Sequence, residues 1–280
     1  MTKKIVLGKC SEVDLSGPEL MKIGHDSVVR IASKIGGAQI GHGSAFIYKQ
    51  IINGGGDGIS RLFLLTNLHN LKGALSAFPY SLHLAKSGQP EKNITIQMVI
   101  EFRGEEYEVA TAHIAKGRLF TENEFFEDFA FVSIDVPVTD ELSLFALPDD
   151  GDPEQGEDVF ALGFPADTNL GISEGIISHV YDDKPPVPDY KWQVQHSILI
   201  NGVNSGGPTV NRKGVAIGIS TWKQLRSYGS GALVDGMNFS VNVHRLLDTA
   251  RDTSTLDEVN LTGVFSRLAA RAVEEAKFGN

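Results

Sequence analysis

The chain has 280 residues, 41% apolar and 21% charged. That length supports one large or two small domains with a sizeable core, and the composition excludes disordered and collagen-like chains. A formal net charge of −10 argues against nucleic acid, which basic surfaces bind, and no apolar run nears the roughly 20 residues that cross a bilayer, so no membrane partner is expected.

Residues 1–25 are mixed and punctuated by Gly8, Gly17 and Pro18, which predicts an arm leading into the domain. The opening Met-Thr-Lys-Lys-Ile-Val-Leu-Gly lacks the apolar stretch of a secretory signal, and the single Cys10 allows no internal disulfide. Together these predict a cytoplasmic protein. From Val28 the pattern changes to short strands separated by Gly, Asn, Asp and Pro. Strands are predicted at 28–33, 44–48, 62–66, 94–102, 107–114, 129–134, 159–163, 172–180, 192–196, 215–221 and 237–241, many of them apolar or alternating with period two. So many short strands without βαβ alternation predict an all-β sandwich or barrel. Two helices close the chain. One spans 242–251, with Val243, Leu246, Leu247 and Ala250 on one face. The other spans 256–278, with Leu261, Val264, Phe265, Leu268, Ala272, Val273 and Ala276 near a 3.6 period. The second is expected to pack on the domain, with a partner-binding helix as the alternative.

Two segments invite ligand readings and fail them. The run Asn53-Gly54-Gly55-Gly56-Asp57-Gly58 lacks the Lys-Ser/Thr of a phosphate loop, so it reads as a hairpin loop. The acidic stretch 149–154 lacks the spacing and bidentate Glu of a calcium loop and reads as a solvated turn. No HExxH or paired CxxC occurs, so no metal or cofactor is expected.

Three segments carry candidate chemistry. In Leu64-Leu65-Thr66-Asn67-Leu68-His69 an apolar strand ends and a histidine follows, a rigid mount for a group that titrates near neutrality. In Glu127-Asp128-Phe129-Ala130-Phe131 an aspartate opens an alternating strand, where a carboxylate can accept an imidazole Nδ1–H. In Asn201-Gly202-Val203-Asn204-Ser205-Gly206-Gly207-Pro208 a serine sits among turn formers, so backbone N–H groups can gather near its oxygen. Alone, His69 and Asp128 read as structural residues; Ser205 in its loop is the most specific of the three.

In the order His, Asp, Ser these segments resemble the chymotrypsin-like serine peptidases, and most of all the HtrA/Deg branch, with its TN-x-H strand end, D-x-A strand start and N-S-G-G-P loop. Residues 159–165, 174–178, 215–221 and 236–241 resemble further strands of that branch, so the likeness covers roughly residues 25–250. It implies two packed six-stranded β-barrels in a peptidase domain over 26–252, divided near 140–156, between the arm and a helical extension at 253–280. It implies Ser205 as nucleophile, His69 as general base and Asp128 as its orienting carboxylate, with no cofactor and with a protein or peptide as substrate. By the same likeness the backbone at Val203, Asn204 and Ser205 would form the oxyanion hole, and Leu199, Ile200, Ile219, Ser220 and Thr221 would line a pocket for small or medium aliphatic side chains. A PDZ domain does not fit in the residues after the peptidase region.

The pattern departs from the branch at Val203, where glycine is usual. A β-branched residue avoids positive φ, so an impaired, peptide-binding pseudoprotease is the competing reading. A third makes the fold an interaction module that engages a partner through helix 256–278. Asn204 replaces the aspartate that secreted members pair with a new N-terminus, so zymogen cleavage is not expected. An α/β-hydrolase elbow is rejected, because Val203 holds its first glycine position, only Asp235 lies between Ser205 and His244, and the doubly wound pattern is absent. The branch's trimerising N-terminal segment is not recognisable, and no oligomeric state is assigned.

Overall fold

The computed structural model describes residues 3–53, 58–90, 93–120, 127–149, 151–165, 169–199, 204–223 and 237–278. Strands β1 (Lys3–Leu7), β2 (Val28–Ile35), β3 (Ala38–Asn53), β4 (Ser60–Thr66), β5 (Ile96–Phe102), β6 (Glu105–Glu108), β7 (Thr111–Ala115) and β8 (Ala130–Val136) build the first half of the molecule, with helices α1 (Gly17–Ser27), α2 (Leu68–Leu75) and α3 (Phe78–Lys86). The second half holds β9 (Asp158–Gly163), β10 (Gly171–Val180), β11 (Gln193–His196), β12 (Pro208–Asn211), β13 (Ala216–Lys223) and β14 (Asn238–Asn242). The chain then runs through α4 (Val243–Arg251), β15 (Leu256–Asn260) and α5 (Leu261–Phe278).

The second half closes on itself in the order β10-β11-β14-β13-β12-β9. This is one of the two six-stranded barrels expected. The first half differs: it is a nine-stranded sheet ordered β15-β7-β8-β4-β3-β2-β5-β6, with β1 added to β3. The β7 edge is taken by β15, which pairs antiparallel from Leu256↔Ala115 to Asn260↔Thr111. Helix α5 then packs on α3, β5 and β7. Leu261, Val264 and Phe265 on α5 sit in the same core as Leu64, Ile100 and Val132.

Two expectations are corrected here. The helix predicted over 256–278 begins at Leu261, because the five residues before it are captured by β7 and the Asn260 Oδ1 accepts the Gly263 N–H at 2.7 Å, capping the helix start. Residues 1–25 are more than an arm. Lys3–Leu7 pairs with the second half of β3, and α1 begins where the Glu19 carboxylate accepts the Ser16 N–H and Pro18 presets the first turn. The glycine-rich run 54–57 lies outside the described residues.

A further core joins the two halves. Phe46, Leu65 and Phe129 from the first half meet Phe160, Leu162, Val210, Ile219 and Val241 from the second, with Val243 and Leu246 of α4 beneath. A smaller cluster of Val159, Ala161, Ile177, Val194, Ile198 and Ile217 fills the closed barrel. Apolar burial of this kind, at about 25 cal/mol per Å², holds the halves in a fixed relation without a disulfide.

Candidate active site

Strands β4 and β8 are antiparallel neighbours, and Thr66 faces Ala130 at their shared end. His69 lies three residues beyond Thr66 and Asp128 two residues before Ala130, so both emerge at the same end of adjacent strands. The apolar run 62–65 fixes β4 in the core, and α2 begins at Leu68, which turns His69 across toward Asp128. The carboxylate grips the histidine twice: Oδ1 accepts the His69 backbone N–H at 2.8 Å, and Oδ2 meets the ring Nδ1 at 2.7 Å. Asp128 is 3% exposed, while the His69 side chain is 42% exposed. Partial burial works to lower the imidazole pKa, but the charge and hydrogen bond of Asp128 outweigh it, and the net shift is upward. Asp128 thereby fixes the tautomer with hydrogen on Nδ1, leaving Nε2 as the ring's proton acceptor.

Ser205 arrives from the other half, in the loop before β12. Its carbonyl accepts the Ser44 N–H at 2.8 Å and the Asn70 Nδ2–H at 3.1 Å. Asn70 follows His69 directly, so the loop is fastened to the helix that carries the histidine. Thr66 Oγ1 completes the clamp by donating to the Ser44 carbonyl at 2.7 Å. Asn67 ties the remaining sides together: its Nδ2 donates to the Asp128 carbonyl at 2.9 Å and to Thr221 Oγ1 at 3.1 Å. The Ser205 hydroxyl donates to the Thr221 carbonyl at 3.2 Å. His69, Asp128 and the Ser205 loop are thus gathered by one hydrogen-bond network that crosses both halves.

Gly206 has φ +91°, and a Cβ there would stand 2.0 Å from the Ser44 carbonyl oxygen. Only glycine allows the loop to lie this close to β3. The Gly206 N–H donates to the Ser220 carbonyl at 2.8 Å and the Gly207 N–H to the Asn204 carbonyl at 2.9 Å. Both amides are therefore occupied, and an oxyanion would draw on Ser205 and the residues before it. Asn204 is 3% exposed, and its buried Oδ1 has no partner among the described residues.

The remaining predicted residues are more scattered. Val203 and Ile200 lie outside the described residues. Leu199 is 66% exposed and stands open to solvent, whereas Ile219 is wholly buried in the core between the halves. The Ser220 hydroxyl points into the barrel toward Thr209, at 3.1 Å, and Thr221 is buried beside the Ser205 hydroxyl. Sequence reasoning missed Ser44, Asn67 and Asn70 as positioning residues. The signal for two of them was the Thr66-Asn67-x-His69-Asn70 run itself, whose short polar side chains flank the histidine. Among the described residues no group of His, Cys, Asp and Glu side chains could hold a metal, and no helix is long and apolar enough to cross a membrane.

Comparison with known proteins agrees with this geometry. Residues 43–219 match the model of the trypsin-like peptidase domain. A "Probable periplasmic serine endoprotease DegP-like" of Halomonas elongata is 32% identical over 123 residues, 44% of this chain and 24% of the relative. The "Serine protease HTRA1B" of Danio rerio is 34% identical over 102 residues, 34% of this chain and 20% of that one. The chain thus spans about a quarter or less of the length of these relatives. The crystal structure of a serine endoprotease from Yersinia pestis shares the fold, with TM-score 0.51 and 20% identity over 86% of this chain and 69% of the other. The Halomonas relative is named periplasmic, which gives the cytoplasm expected from the sequence no support.

Proposed function

This chain belongs to the trypsin-like peptidase domain family, and from that premise we propose that it is a serine endopeptidase of the HtrA/Deg kind, cleaving protein or peptide substrates through an acyl-enzyme. The observation that carries the reading is the double grip of Asp128 on His69, 2.8 Å to its backbone and 2.7 Å to its ring, beside a serine loop fastened to the next residue, Asn70.

In the proposed reaction, the Ser205 hydroxyl turns from the Thr221 carbonyl to His69 Nε2. His69 takes its proton as Oγ attacks the scissile carbonyl, and the Asp128 carboxylate steadies the imidazolium. The oxyanion is met by the Ser205 N–H and the peptide of Val203. His69 then gives its proton to the leaving amine, and water hydrolyses the acyl-enzyme by the same route in reverse. Losing one oxyanion donor costs on the order of 3–4 kcal/mol, so a Val203 peptide turned away from the oxyanion would leave a peptide-binding cleft that cuts slowly. That is the second reading, and the Val203 substitution alone favours it.

A fluorophosphonate probe separates the two. The wild-type protein should be labelled on Ser205, and Ser205→Ala should not. Unlabelled wild-type protein, with candidate peptides present as activators, would sink the catalytic reading.

A further inference from the structure

Inside the closed barrel lies a row of polar side chains that the proposed reaction does not use. His196, on β11, is fully buried, and so are Thr209 on β12, Ser220 on β13 and Ser240 on β14. His196 Nε2 lies 2.9 Å from Ser240 Oγ, Ser240 Oγ lies 2.7 Å from Thr209 Oγ1, and Thr209 Oγ1 lies 3.1 Å from Ser220 Oγ. The row ends on the nucleophile loop. The Ser220 carbonyl accepts the Gly206 N–H at 2.8 Å, and the Ser220 N–H donates to the Gly207 carbonyl at 2.9 Å. Gly218 makes room for the row, since a Cβ at that position would come within 2.7 Å of Ser240 Cβ.

Burying four polar side chains in an apolar barrel is costly unless each is satisfied, and a linked row satisfies them in series. We infer that His196 is a positioning residue for Ser205, acting through the hydroxyls of Ser240, Thr209 and Ser220 on the backbone of the nucleophile loop. This inference rests on the peptidase reading above for its kinetic consequence, though not for its structural one. A neutral imidazole carries one N–H. Nδ1 is buried with no partner among the described residues, so the single hydrogen belongs on Nε2, where it donates to Ser240. The Ser240 hydroxyl then donates to Thr209, and that of Thr209 to Ser220. Burial pushes the His196 pKa down to about 3, which keeps the ring neutral and this polarity unchanged across the physiological range. The row thus gives Ser220, and through it Gly206 and Gly207, a single preferred place, and a nucleophile gains from being held in its reactive position.

Thr209→Val removes the central hydroxyl while keeping the shape of the side chain. Its fluorophosphonate labelling rate should fall about tenfold or more in protein still folded at the assay temperature, with kcat lowered and KM kept, while the melting temperature drops because the buried Ser240 hydroxyl loses its acceptor. His196→Leu should do the same, and His196→Gln, which retains a donor, should recover most of the rate. Combining Thr209→Val with His196→Leu should cost no more than the worse single change, because both cut one row. Labelling within twofold of wild type, or losses that multiply in the double variant, would overturn the inference. Amide exchange at Gly206 probes the row without any need for catalysis. Faster exchange there in Thr209→Val supports the row and unchanged exchange refutes it, even if wild-type protein proves inert to the probe and only the peptidase reading falls.

Discussion

At the scale of single residues, the proposed reaction makes the His69–Asp128 pair set the pH behaviour. The upward shift of the His69 pKa means that the imidazole stays protonated to a higher pH than the ordinary value near 6.5. In the proposed reaction His69 must be neutral to act as general base, so the acid limb of kcat/KM should lie above that value and report the free enzyme. The same shift contributes folding stability that is fully present below the unfolded-state pKa and lost as pH rises through the folded one. Asp128→Asn should move the acid limb downward and slow cleavage by about 10⁴-fold, since the ring loses both its tautomer and its partner. A pH–rate profile of the two proteins tests this, and an unmoved limb would detach Asp128 from His69. Gly206 makes a second residue-scale case. Gly206→Ala puts a Cβ against the Ser44 carbonyl and forces a side chain to φ +91°. The strain is of order 1–3 kcal/mol, and labelling of Ser205 should slow accordingly, while a wild-type rate would mean that the loop is free to shift.

At the scale of elements, the C-terminal strand and helix belong to the domain. Phe265 is 2% exposed and sits in the core that carries β4 and β8. Phe265→Ala should cost about 3–5 kcal/mol, read as a lower urea midpoint at constant m. A helix reserved for a partner would show no such loss. Much of this level was legible in the sequence. Ten of the eleven predicted strand segments each overlap one observed strand, because alternating apolar residues such as those of Ala130–Val136 mark a half-buried surface. The eleventh, 107–114, is split between β6 and β7, since its continuous β-forming run hides the break. Strand β12 has four residues and opens on Pro208, too short to show a period. Helices α2 and α3 have only eight and nine residues, about two turns each, and Gly73 weakens the pattern of the first. β1 looked like an arm because its strand character comes from pairing with distant β3. Local sequence also did not say that β15 would occupy the β7 edge and leave the first half an open sheet. The candidate site was visible only jointly: alone His69 and Asp128 read as structural residues, and it was the order of three local motifs, with the turn chemistry around Ser205, that carried the resemblance. The clamp through Ser44 and Asn70 was hidden, because it joins residues more than a hundred positions apart.

At the scale of the whole molecule, the proposed chemistry depends on two halves keeping one relation, since His69 and Asp128 come from the first and Ser205 from the second. Besides the shared apolar core, one ionic knot fastens the segment between the halves to the end of the chain's last barrel strand. Asp152 accepts hydrogen bonds from Asn242 Nδ2 at 2.9 Å and Arg245 Nε at 3.0 Å, and from Arg245 Nη2, with His244 Nδ1 3.5 Å away. Asn242 also accepts the Arg245 N–H at 3.4 Å, capping α4, so one carboxylate joins linker, strand and helix. Partial burial tends to raise the Asp152 pKa, yet the hydrogen bonds from Arg245 and Asn242 and the arginine's charge hold it below the usual range. A depressed carboxylate pKa contributes stability above its unfolded-state value that is lost as pH falls through the folded one. Asp152→Asn keeps the size of the side chain and removes the charge. It should cost about 1–2 kcal/mol at neutral pH, at the low end for charge-assisted hydrogen bonds because the site is partly exposed. The difference from wild type should shrink as the pH drops below the folded-state pKa, where the wild-type carboxyl is also uncharged. Urea unfolding across that range measures it. The acid limb of kcat/KM should stay in place, because Asp152 makes no contact with His69. Equal stability of the two proteins at neutral pH would leave the fastening between the halves to the apolar core and to the hydrogen bonds that Ser44, Asn67 and Asn70 make across them.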